Sequence, residues 1–330
     1  MTLGRLTLAF SCFSVFAWII AKADQPAIHL VRQRGVNLIN PLDENFGRLM
    51  KWSHGAYLFA DALNGQRPVF YSLDAEGTLT STAKFDNPDP TRFDTFCWDR
   101  QSDGTIVFSG QTETAPRVVS PFLAWTSADG KLQRLQRTDH YFPYEVAVAP
   151  DDTVWTLGYE MVNLDVTDPA VNQEAHVLRH FDKSGNLIGS AFPQRQFNRY
   201  QRSALAHGLL VATPHLLGWY GQQSGKAAYT EIPLHTMTMN EYPSVPSKAG
   251  KRALAEGVAI TDAGAVSVSL EDWSPTARTT YVLDRATSTW VPVSVPPLGG
   301  FNFTPNLIGS DGDNLVFKFG REVAFFSVAQ

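Results

Sequence analysis

The chain predicts an all-β fold, a six-bladed β-propeller whose last blade is closed by the N-terminal segment. Three observations predict it. First, a unit of apolar strand, tight acidic-Gly turn, second strand and loop recurs five times between Ala56 and Val295, at a spacing of roughly 45 to 50 residues, the range of propeller blades. Second, the clearest unit, Val146 to Gly158 followed by His176 to Ile188, reads as two consecutive hairpins, the content of one blade. Third, 24 Gly and 20 Pro suit a fold rich in turns, while 44% hydrophobic and 18% charged residues suit a packed core. A single all-β domain absorbs 330 residues when its units repeat around one axis.

The first 23 residues read differently from the rest. Arg5 supplies a positive start, Leu6 to Ile20 is apolar, and Ala21-Lys22-Ala23 places small residues at both cleavage-recognition positions. An apolar run of about 15 residues falls short of the roughly 20 that span a bilayer. The expectation is a signal peptide over 1–23, one propeller domain over 24–330, no transmembrane span after cleavage, and a secreted or periplasmic location. Losing Arg5 and Lys22 from 27 basic residues, against 32 acidic ones, leaves a formal charge of −7. That balance argues against a nucleic-acid partner. The mature chain keeps one cysteine, Cys97, so no intramolecular disulfide forms; in Phe96-Cys97-Trp98 it reads as a small buried apolar side chain.

The acidic-Gly turns set the register of the blades. A first inner hairpin lies near Trp52 to Ala62. Others come at Phe96 to Gly110 around Ser102-Asp-Gly104, at Val146 to Gly158, at Ala204 to Thr213 around His207-Gly208, at Val258 to Leu270 around Asp262-Ala-Gly264, and at Leu307 to Phe319 around Asp311-Gly-Asp313. Outer hairpins alternate with them: Val69 to Leu79, Leu123 to Leu135, Val177 to Ile188, Leu217 to Ile232 and Thr280 to Val293. Six inner and five outer hairpins leave the last blade short of strands. Ala27 to Val31 and Val36 to Ile39, alternating or β-branched, are the donors expected to join Val323 to Val328 and remove a free sheet edge. A count of seven blades stays open, because the first and fourth units are weakly marked.

Val146-Ala-Val-Ala-Pro-Asp-Asp-Thr-Val-Trp155 with Leu178-Arg-His-Phe-Asp-Lys-Ser-Gly185 resembles the NHL-repeat and related six-bladed propellers. The likeness covers about 250 residues as a rhythm and two or three blades in residues. It implies the fold and leaves the activity open, since propellers serve as enzymes, binders and scaffolds alike.

Loop lengths suggest where function concentrates. The segments Gln111 to Pro121, Tyr159 to Ala175 and Glu271 to Ala277, and the interblade links Phe85 to Asp94, Thr138 to Tyr144, Phe192 to Arg202 and Thr236 to Arg252, are all long and emerge on one face. Around that face and the axis stand the candidate ligand-binding residues Arg92, Asp94, Tyr144, Glu145, Tyr200, Arg202, Arg252 and Glu256. Aromatic planes beside guanidinium forks suit sugar or carboxylate ligands. The acids Asp94, Glu145 and Glu256, near the starts of inner strands, would hold Ca²⁺ if three or more oxygens converged; on the repeat alignment, though, Glu145 matches Gly257 and not Glu256. The eight histidines show no zinc spacing, and no Gly-x-Ser-x-Gly elbow is present. The reading is therefore an exported propeller that binds a small molecule or protein partner without covalent chemistry. Its rivals are a metal-assisted hydrolase or lyase using Glu145, Asp94 and Glu256, and a structural subunit of an envelope complex.

Overall fold

A computed structural model of the protein describes residues 28–39, 50–61, 67–85, 92–116, 118–197, 209–223, 226–246, 254–271, 278–298 and 305–329. The expected signal peptide lies outside these residues. Six four-stranded antiparallel sheets make up the molecule. Blade one comprises β2 (Met50–Ser53), β3 (Ala56–Asp61), β4 (Val69–Leu73) and β5 (Leu79–Lys84). Blade two comprises β6 (Arg92–Arg100), β7 (Ile106–Ala115), β8 (Val118–Thr126) and β9 (Leu132–Arg137). Blade three comprises β10 (Tyr141–Val148), β11 (Val154–Glu160), β12 (His176–Phe181) and β13 (Leu187–Pro193). Blade four comprises β14 (Leu209–Ala212), β15 (Leu216–Gln223), β16 (Lys226–Pro233) and β17 (Asn240–Glu241). Blade five comprises β18 (Leu254–Ile260), β19 (Val266–Glu271), β20 (Arg278–Asp284) and β21 (Thr289–Val293). Blade six comprises β22 (Asn306–Asp311), β23 (Asn314–Phe319), β24 (Glu322–Ala329) and, outermost, β1 (His29–Asn37).

The first strand of each blade packs against the first strands of both neighbours, from β2 through β22 and back to β2, so the sheets close a ring. Closure follows from burial. The strands β3 and β11 are apolar on both faces, with only their last residue partly exposed, because each blade is sandwiched between two others. The core accordingly divides into six clusters, one per blade-to-blade interface. Phe70 and Phe85 meet Phe108 and Phe122 between blades one and two, and Val316 and Phe325 meet Trp52 and Phe59 between blades six and one. Burying each such ring contributes about 2–3 kcal/mol. Fourth strands face solvent on one side: β9 has no fully buried residue, and β13 exposes Leu187 and Ile188.

The acidic-Gly turns work as their chemistry predicts. Asp103 Oδ1 accepts the Thr105 N–H at 2.8 Å, and Asp182 Oδ1 accepts those of Ser184 and Asn186 at 2.9 and 2.8 Å. Gly104 supplies the positive φ, 90°, that closes the first of these turns. Neighbouring turns also lock together, since Asp152 accepts both the N–H and the hydroxyl of Ser102 at 2.6 Å.

The N-terminal closure is present as one continuous strand, not two short donors: β1 pairs with β24 from His29↔Ala329 to Asn37↔Glu322, with a bulge between Arg32 and Arg34. Two expectations are corrected. In blade four, where the expected turns His207-Gly208 and Ser224-Gly225 lie outside the described residues, the inner hairpin is β14–β15, turning at Thr213 to His215, and β15 pairs next with β16, so Leu217 to Ile232 holds second and third strands and is not the outer hairpin. The true turn has no acidic-Gly signature. Thr213 Oγ1 closes it instead, accepting the Leu216 N–H at 3.1 Å and donating to the Leu216 carbonyl at 3.0 Å. Gln111 to Pro121 is likewise no loop: Gln111↔Pro121, Thr112↔Ser120 and Glu113↔Val119 pair, extending β7 and β8 into a projecting hairpin.

Candidate functional site

A bulge recurs in four of the six first strands, between Thr95 and Cys97, Pro143 and Glu145, Ala255 and Gly257, and Leu307 and Gly309. Each inserts one residue and re-aims the side chains after it. Cys97, Glu145, Gly257 and Gly309 therefore occupy equivalent positions around the axis, which agrees with the alignment of Glu145 on Gly257 read from the repeats. Two second strands carry glycine opposite the bulge for a steric reason. A Cβ on Gly158 would sit 2.0 Å from the Phe142 carbonyl oxygen, and one on Gly110 would sit 2.3 Å from that of Asp94.

The first strands enclose an axial cavity of about 740 Å³. Its wall runs from Glu256, Glu271 and Asn306 to the tight turns at His54-Gly55, Asp262 and Gly312. It thus reaches the face of short turns, opposite the long links on which a site was expected. Met50, Phe96, Leu210, Val258 and Ile308 make the wall largely apolar.

One polar cluster interrupts that wall. Lys51 Nζ, from β2, donates to Cys97 Sγ, from β6, at 3.3 Å. Cys97 in turn faces the Val146 carbonyl at 3.6 Å, bringing the thiol beside Glu145 on β10. Asp99, two residues along β6, accepts the Arg100 N–H at 2.8 Å and the Val148 N–H at 2.9 Å, tying blade two to blade three. Burial works against the Lys51 ammonium, and the ionised forms of Cys97, Asp99 and Glu145 act the other way and outweigh it, leaving its pKa above the ordinary value. Burial pushes the Cys97 thiol up to about 11, against the pull of Lys51. Burial likewise pushes Glu145 up to about 8, although Lys51, Cys97 and the Leu210 N–H favour its anion. At neutral pH the cluster is an ammonium, a thiol and a mostly protonated carboxyl.

Of the eight residues picked from the sequence, the cavity brings together Glu145 and Glu256. Glu256 is paired with the Arg278 guanidinium, and Glu271 approaches the same group at 4.0 Å. Arg92 bridges Asp94 and Glu113 at 3.5 Å each, and Asp94 also accepts from Gln111 at 3.1 Å. Tyr144 packs between blades, its ring 4.9 Å from Phe96 and 5.1 Å from Tyr159. Tyr200, Arg202 and Arg252 lie outside the described residues. Among the described residues no three His, Cys, Asp or Glu side chains come together to hold a metal ion.

Sequence reasoning missed Lys51 and Asp99 and read Cys97 as apolar; the thiol is buried but faces a lysine and a carboxyl. Two signals pointed there. Phe96-Cys97-Trp98 occupies the same place in its blade as Tyr144-Glu145-Val146, and Lys51 is a lone charge between Met50 and Trp52.

No protein-family model matches the chain, and no curated protein sequence is significantly similar to it. Solved structures do share its architecture. A protein of unknown function from Dyadobacter fermentans DSM 18053 superposes with a TM-score of 0.55 at 11% identity, covering 92% of this chain and 100% of that one. A "Putative exported protein" from Bacteroides fragilis NCTC 9343 gives 0.52 at 11% identity, over 92% and 96%. The GH74 xyloglucanase of Xanthomonas campestris gives 0.51 at 11% identity, over 91% of this chain but only 45% of the enzyme. At such identities the likeness shows the propeller fold alone.

Proposed function

We propose that this chain is an exported propeller that binds a small organic molecule in its axial cavity, without covalent chemistry. The observation that carries the reading is Lys51: its ammonium stands in the cavity wall, and its one hydrogen bond among the described residues is to a thiol sulfur. An ammonium has three donors and sulfur is a weak acceptor, so the group suits a partner that the described residues do not supply. A cavity of about 740 Å³ falls within the range of small-molecule sites. The arginines on Asp94 and Glu256 favour binding over metal-assisted hydrolysis, because carboxylates engaged by guanidinium are poor candidates for cation ligands.

Export rests on the leader over residues 1–23 and agrees with a structural neighbour named as exported. No helix among the described residues is long and apolar enough to cross a membrane. N-terminal sequencing of the protein from its own host is expected to begin at Asp24. Native mass spectrometry of the same sample is expected to show a retained small molecule that denaturation releases. A bare chain, together with unchanged tryptophan fluorescence across a small-molecule library, overturns the binding reading.

A further inference from the structure

We propose that the molecule held in the axial cavity carries a carboxylate, bound by Lys51 and Glu145, with an apolar body along the wall formed by Met50, Phe96, Leu210 and Ile308; this rests on the cavity being a binding site. Lys51 makes no direct ion pair. Among the described residues no carboxylate lies within ion-pair distance of its ammonium, although Asp99 and Glu145 act on it from further off and six acids line the same cavity, Asp262 and Asp311 among them at the tight turns. The other four have partners of their own. Asp99 takes the N–H groups of Arg100 and Val148. Glu256 and Glu271 share Arg278. Glu145 lies beside the Leu210 N–H and the Cys97 thiol, both of which favour its anion. A charged donor set facing an apolar space is costly unless an acceptor arrives with the ligand.

The character of Glu145 selects among acceptors. Its side chain is 8% exposed, and as an acid it presents an O–H donor beside the ammonium. A carboxylate accepts from both groups at once. A carboxamide has a weaker acceptor and places an NH₂ against donors. An amine adds a third donor and a second positive charge, which the acids of the cluster, already engaged, do not meet.

The same geometry gives binding a pH dependence. Lys51 on β2 and Cys97 on β6 act on Glu145 directly, and the strands packed against β10 also carry Arg92, Asp94, Asp99 and Arg100 on β6 and Glu113 on β7. Tyr159 and Glu160 stand on β11, where Arg179 holds Glu160 at 3.2 Å; β14 adds none, being Leu209-Leu-Val-Ala212. Above pH 8 an ionised Glu145 would repel the ligand's carboxylate, so affinity is expected to fall about tenfold between pH 7 and pH 9.

The test is calorimetric titration of the full chain with 2-naphthoate, hydrocinnamate and decanoate, each beside its carboxamide and its primary amine. The expected result is that a carboxylate binds at least tenfold more tightly than its amide, that the amine does not bind, and that affinity drops between pH 7 and pH 9. Lys51→Met is expected to abolish that preference, and Glu145→Gln, which keeps a donor at every pH, to flatten the pH profile. Equal or tighter binding of amides or amines overturns the carboxylate inference while leaving the cavity a binding site. If none of the nine compounds binds, both readings fall. The wild-type pH series needs no variant, so the inference stays refutable even if Lys51→Met fails to fold.

Discussion

Replacing Glu145 by glutamine removes a carboxyl that the fold holds in its neutral form, and the consequence for stability can be worked from the structure. The side chain is 8% exposed, and burial pushes its pKa up to about 8 from an ordinary value of 4.5. Between these two values the folded chain keeps a proton that the unfolded chain has released. Folding therefore takes up a proton, and stability falls as pH rises from 4.5 to 8, then levels off for this group. By linkage the separation is worth about 5 kcal/mol, at about 1.4 kcal/mol per tenfold. Glutamine does not titrate, so the variant escapes this loss. Urea unfolding of both proteins at pH 5 and pH 8 is expected to show the wild type losing about 3–5 kcal/mol more than Glu145→Gln over that interval. Parallel pH dependence of the two proteins would refute the reasoning, because it would mean that Glu145 ionises in the fold as freely as in the unfolded chain.

Three further outcomes are expected of the same structure. Lys318 is 5% exposed, its ammonium makes no hydrogen bond or ion pair with the described residues, and burial lowers its pKa to about 8 from 10.5; Lys318→Met is expected to raise stability by about 2–3 kcal/mol at pH 7, the gain shrinking as pH rises from 8 to 10.5, in urea unfolding. Gly158→Ala drives a Cβ to 2.0 Å from the backbone oxygen of Phe142, whereas a Cβ on Gly264 meets nothing within 4 Å and bears only a positive φ of 81°; denaturation midpoints are expected to drop more for the first, which costs about 1–3 kcal/mol or more, than for the second, at about 1 kcal/mol. The Cys97 thiol, pushed up to about 11 from an ordinary 9.0, is expected to react with a thiol reagent at neutral pH at least about 100-fold more slowly in the native protein than in urea, monitored by absorbance.

The blades were legible because their signals are local. The acidic-Gly turns at Ser102 to Gly104 and Asp182 to Gly185 punctuate strands whose apolar runs betray burial on both faces, and a chain with more inner than outer hairpins must complete its last sheet from its other end. Legibility failed where the local signal was absent or misleading. The Thr213 to His215 turn is closed by a hydroxyl, not by an acidic side chain, so the neighbouring His207-Gly208 drew the hairpin one strand too early. Gln111 to Pro121 lacks a strong apolar pattern because it projects beyond the sheet, where pairing no longer buries both faces. Glu145 and Glu256 were legible as charges at the head of inner strands. Lys51 and Cys97 were not, because each looks ordinary within its own blade.

What the chain's order of residues determined alone is a closed ring of repeated sheets, most of its turn chemistry, and the N-terminal strand that seals it, consequences of periodicity and of edges that must not stay open; that the blades number six and not seven came from the structure. What only the tertiary structure decided is which side chains share the axis. Bulges at Phe96 and Tyr144 shift the register by one residue, turning Cys97 and Glu145 to the same height, and closure then sets Lys51, 46 residues away along the chain, against the thiol. Contacts of that kind cross from blade to blade, so the physics that makes them, burial of a charge among groups from three sheets, exists only once the ring has closed.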